Sequence, residues 1–136
     1  MPQILARLLN SPAGNLVIRL TLSTMFWTSG IEKVLNWDAS LGEMAHFGLL
    51  PAPLFAAATV ATLFGGPILF LSRKYVWIGA GWMAVFTLLT IPIVHNFWAM
   101  TGPEKVGEWR TAMEHISVVG GLAMAAALAS RDQAQS

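Results

Sequence analysis

Cysteine is absent from this chain, which removes disulfides, thiolate metal sites and thiol redox chemistry from consideration. Charge is scarce as well: charged side chains make up 11% of the 136 residues, against about 25% in a typical soluble domain. A formal net charge of +1 gives no reason to expect nucleic acid as a partner. No phosphate loop, catalytic nucleophile or covalent cofactor motif stands out, so any redox role must draw on a bound group or on another protein. What the chain has instead is apolar sequence, 55% of it hydrophobic. At this length there is room for one domain, 1–136, with the lipid bilayer as its main solvent.

Four near-continuous apolar stretches occur, at about residues 16–36, 54–72, 75–98 and 111–130, each long enough to cross a bilayer as a helix. The expected fold is all-α: an integral membrane four-helix bundle of antiparallel, up-down spans. A secretory signal is the competing reading of the N-terminus, but Arg19 interrupts the apolar core and no prompt small-residue cleavage site follows. Pro51 and Pro53, Arg73 and Lys74, and Thr101, Gly102 and Pro103 mark the connections. In the first outer loop, Ser40 and Glu43 have capping-box spacing, and Leu41, Met44, Ala45, Gly48 and Leu49 recur on one face. They predict a short interfacial helix, either a cover for the bundle or a gate for a lipid-soluble ligand.

Orientation follows from the basic residues. Arg7, Arg19, Arg73, Lys74 and Arg131 fall at one end and Lys33, Lys105 and Arg110 at the other, which places both termini in the cytoplasm. Six acids share the outer end, and only Asp132 lies at the inner one. Tyr75 and Trp77 mark the inner interface, and Trp37, Trp98 and Trp109 the outer.

Two groups of residues carry potential chemistry. Arg19, Ser23, Phe26, Gly30 and Lys33 fall on one stripe of the first span, which implies a partly polar bundle interior or, for the two cations, snorkelling to headgroups. At the outer level the path of the chain converges Glu32, Lys33, His95, Glu114 and His115, with Lys33 and Glu114 as the expected ion pair. His95 and Trp98, at i and i+3 of the third span, share a helical face, so an imidazole would meet a planar ligand beside an indole. Mutual neutralisation, interfacial hydration, contact with a quinone, and metal binding by His95, His115 and a glutamate are the four readings of this cluster. Paired glycines at 65–66 and 120–121, and Gly79 with Gly81, suit close helix approach; Gly65-Gly66-Pro67 also suits an opened backbone.

Arg19 with Gly30 and Lys33, the Gly48 to Pro53 segment, Gly65-Gly66, His95-Asn96-Phe97-Trp98 and Gly120-Gly121, in that order and spacing, resemble the DoxX family over nearly the whole chain. The resemblance implies a small four-helix protein of the bacterial inner membrane, a subunit or accessory factor of a quinone-linked or oxidative-stress redox system, with other membrane or membrane-associated redox proteins as partners. Quinone is the candidate cofactor, and no metal is expected. Two positions depart from the family pattern: Thr62 stands where a glutamate is common, and Glu114-His115 replaces a common Lys-Asn pair. A small-molecule carrier and a structural subunit of a larger complex are the alternative functions.

Overall fold

In a computed structural model the chain is described over residues 1–134, with side chains through Arg131. Those residues are helical between turns, with no strand among them. The elements are α1 (Gln3–Asn10), α2 (Pro12–Leu35), α3 (Trp37–His46), α4 (Ala52–Leu71), α5 (Val76–Ile93), a 3-10 turn at Phe97–Ala99, and α6 (Gly102–Ala134).

Among the described residues three segments are long and apolar enough to cross a membrane: Ala52–Leu71, Val76–Ala99 and Gly102–Arg131. The stretch expected as the first span is helical, as the 24-residue α2, but it is not one of these three. Its composition is the reason, since Asn15, Arg19, Glu32 and Lys33 sit among five serine and threonine residues.

Helix α4 packs on α2 and α5 and also against α3, α5 packs on α6, and a lighter contact joins α2 and α6. The core is Phe26, Leu63, Phe70, Val76, Ala80, Met83, Leu122 and Ala125. The α4–α5 seam is the tightest. A Cβ at Gly79 would collide with the backbone of Phe70 and Gly66, so only glycine permits this approach. Gly81 and Gly120 make no such contact. Pro67 is accommodated within α4, which continues to Leu71 without opening.

Several boundaries differ from the sequence reading, each for an identifiable reason. Helix α5 stops at Ile93 rather than 98. Pro92 has no N–H to give the Leu88 carbonyl, which weakens the last turn, and beyond it the His95 N–H is shared between the carbonyls of Thr90 and Ile91. Helix α6 starts at Gly102, well before 111, with Pro103 and Glu104 in a first turn that favours both. In α3 the cap is Asn36, not Ser40: the Ser40 hydroxyl donates to the carbonyls of Lys33 and Asn36, and Glu43 turns to Lys33. Helix α3 ends in a Schellman turn, with Gly48 at φ 71° and the N–H groups of Gly48 and Leu49 bonded to the carbonyls of Ala45 and Met44. Gly48 and Leu49 are therefore outside the helix they were expected to extend.

Candidate functional site

The stripe on α2 faces inward: Ser23, Phe26 and Gly30 are buried, and Arg19 and Lys33 are part-buried at its two ends. Ser23 is a packing residue, donating to the Leu20 carbonyl and accepting from Trp27 Nε1 at 3.1 Å. Arg19 is held by backbone carbonyls. Its Nη1 donates to the carbonyls of Phe70 at 3.2 Å and Ser72 at 3.1 Å, and its Nε to Asn15 O at 3.3 Å. The last turn of α4 contains no basic residue, so Arg19 brings a cation from α2 to that helix's negative end.

The other polar residues separate into two sites. At the α2–α3 corner, Lys33 is ion-paired with Glu43, not with Glu114 as expected. The reason is proximity along the chain: the turn at Asn36 folds α3 back so that Glu43 reaches Lys33 from ten residues away. Glu32 is exposed nearby and lines a cleft of about 270 Å³ with Lys33, Asn36 and Glu43.

The second site lies at the junction of α5 and α6. Because α5 ends at Ile93, His95 sits in the turn, its N–H bonded back to the carbonyls of Thr90 and Ile91. Its imidazole Nδ1 is 2.6 Å from Glu108 Oε2, and its ring meets His115 edge-on with centroids 4.8 Å apart. Glu108 and His115 are seven residues apart on α6, two helical turns, and so present to the same side. The carboxylate on Nδ1 fixes the orientation of the His95 ring.

Glu108 was not among the residues singled out from sequence, although its i, i+7 relation to His115 was readable. Trp98 does not share a helical face with His95, since α5 ends before both and Trp98 lies in the 3-10 turn; it is exposed and packs edge-on against Phe97. Glu114 is exposed on α6. Among the described residues no group of three or more His, Cys, Asp and Glu side chains is arranged to hold a metal ion. Thr62, one of the two departures from the family pattern, accepts a hydrogen bond from Trp82 Nε1 at 3.3 Å, tying α4 to α5.

A search of curated proteins and a search of solved structures found no match. The DoxX family model matches residues 14–96, from the first turn of α2 to the turn beyond α5. This is less than the nearly complete coverage expected from the motifs: His95 lies inside the matched segment, whereas its neighbours Glu108 and His115, and all of α6, lie beyond it. The match takes in most of the chain together with two of its three candidate membrane helices, and the chain belongs to the DoxX family.

Proposed function

We propose that this DoxX protein is a small membrane subunit of a quinone-linked or oxidative-stress redox system, and that His95, held by Glu108 and flanked by His115, is its proton-exchanging site. The observation that carries this reading is the His95–Glu108–His115 arrangement at the end of two strongly apolar helices. Quinone chemistry couples electrons to protons, and an imidazole is the side chain whose ordinary range lies near neutrality. A lipid-soluble planar ligand would approach from the bilayer beside the exposed ring of Trp98. Electrons come from a partner, as the chain offers no thiol.

In this reading α2 joins α4, α5 and α6 as a fourth span, in alternating directions. Support comes from the contacts: the start of α2 meets the end of α4 at Arg19 and Phe70, and Gly30, near the end of α2, lies against Leu63 and Phe64. The bias of basic residues puts both termini in the cytoplasm of a bacterial inner membrane. A reporter enzyme fused after Ser136 is then active only on the cytoplasmic side.

A structural-subunit role is the second reading, favoured by the internal pairing of Lys33 with Glu43 and His95 with Glu108. A carrier gains less support, because Ser23 and Phe26 are packed into the core between Arg19 and Lys33. Purification in a mild detergent, followed by extraction of bound quinone and identification of co-purifying proteins, separates these roles. Quinone with an electron-transfer partner supports the redox reading. A stoichiometric partner without quinone supports the structural one.

A further inference from the structure

About 20 Å along α2 from Lys33, judged from the helical rise, Arg19 borders a second and larger cavity. This groove, of about 700 Å³, lies between the α1–α2 elbow, the turn joining α4 to α5, and the end of α6. We propose that it binds an anionic phospholipid, with the headgroup phosphate at Arg19 and Arg73 and an acyl chain along the apolar wall formed by Leu16, Leu128 and Ala129.

Three independent features support this occupant. The groove is amphipathic. Its charged described lining residues, Arg19 and Arg73, are both cations, Asn10 and Asn15 add amide groups, and the rest of the lining is apolar apart from backbone. Arg19 is positioned in advance, since its bonds to the carbonyls of Asn15, Phe70 and Ser72 hold the guanidinium at the groove whether or not a ligand is there.

The second feature is α1. Ile4, Leu5, Leu8 and Leu9 are all exposed, on an eight-residue helix that also carries Arg7. The elbow after it is built tightly: the Ser11 hydroxyl donates to Leu8 O and accepts from Gly14 N–H, and a Cβ at Gly14 would collide with Leu8 O. A short amphipathic helix with an uncovered apolar side and a basic residue, fixed at an angle to a longer helix, is suited to lie in the headgroup region of a bilayer. It places the groove at that depth.

The third feature is charge distribution. Arg7, Arg19, Arg73, Lys74 and Arg131 fall toward this end of the helices, with Asp132 as the one acid assigned there from sequence, whose side chain is outside those described. Basic grooves between membrane helices attract anionic headgroups, at about 1 kcal/mol per cation near the surface. The site is independent of any redox role and needs only that the apolar helices reside in lipid.

The test is lipid retention by the purified full chain in non-ionic detergent, read by native mass spectrometry. The additions are dioleoyl phosphatidylglycerol, dioleoyl phosphatidylcholine and inorganic phosphate, each alone. Phosphatidylglycerol is retained in preference to phosphatidylcholine, and inorganic phosphate does not compete with it. Arg73→Gln weakens retention about fivefold, the loss of one such cation. Ala129→Leu, which narrows the groove and keeps both arginines, weakens it as well. Lys105→Gln removes the same charge far from the groove and leaves retention unchanged. Equal retention of the two lipids, displacement by inorganic phosphate, or equal losses in Arg73→Gln and Lys105→Gln would each overturn the proposal.

Discussion

The Arg19 end and the His95 end of these helices hold their charges by different means. Arg19 bonds to backbone carbonyls 51 and 53 residues away and ties α2 to the terminus of α4. Lys33 and His95 instead pair with carboxylates ten and thirteen residues along, Glu43 and Glu108. A cation on carbonyls closes a helix end that would otherwise leave acceptors unsatisfied in an apolar setting, and it has no proton to exchange. An imidazole on a carboxylate does. The first arrangement is a staple, and the second is the place where we propose chemistry.

The largest effect expected from breaking this contrast is at the staple. Arg19→Ala strands the carbonyls of Phe70 and Ser72 and is expected to cost about 3 kcal/mol, read as a lowered melting temperature in detergent. Arg19→Lys restores only part of it, because an ammonium lacks the planar fork that reaches two carbonyls and Asn15 together.

At the other end the losses are smaller. Glu108→Gln is expected to cost about 1 kcal/mol, since both partners are part-exposed. It also releases the His95 ring, seen as a changed imidazole tautomer distribution by nitrogen NMR. Lys33→Ala costs about 1 kcal/mol or less through loss of Glu43, and more than Lys105→Ala, which is exposed on the first turns of α6. Equal melting temperatures for these last two would show that the Lys33 pair adds nothing.

Midway along α5 is a reference position with the opposite sign. The Thr87 hydroxyl oxygen is buried and has no hydrogen-bond partner among the described residues. Thr87→Val removes that unmet group at nearly constant shape and is expected to stabilise by somewhat under 1 kcal/mol.

Much of this was legible in the sequence because apolar length is a strong signal: α4, α5 and α6 were found as runs, and the inward stripe of α2 by its spacing. What escaped was decided by local chain geometry. Helix α5 ends at Ile93, just after Pro92, and His95 in the turn beyond meets Glu108 and His115 of α6. The Asn36 turn delivered Glu43 to Lys33 ahead of any partner across the bundle. Helix α1 went unread because eight residues are too few for a span, although Ile4, Leu5, Leu8 and Leu9 repeat at helical spacing. Arg19's role was hidden for another reason. Its partners are carbonyls, and a sequence does not distinguish one backbone acceptor from another.

The central claim, that proton-linked ligand chemistry belongs to the His95 end, is tested most directly by titrating a short-chain ubiquinone into the purified wild type, His95→Ala and Lys33→Ala, following quenching of tryptophan fluorescence. Affinity is expected to fall at least tenfold in His95→Ala and to stay within twofold in Lys33→Ala. Unchanged affinity in His95→Ala, or no binding by the wild type, would contradict it.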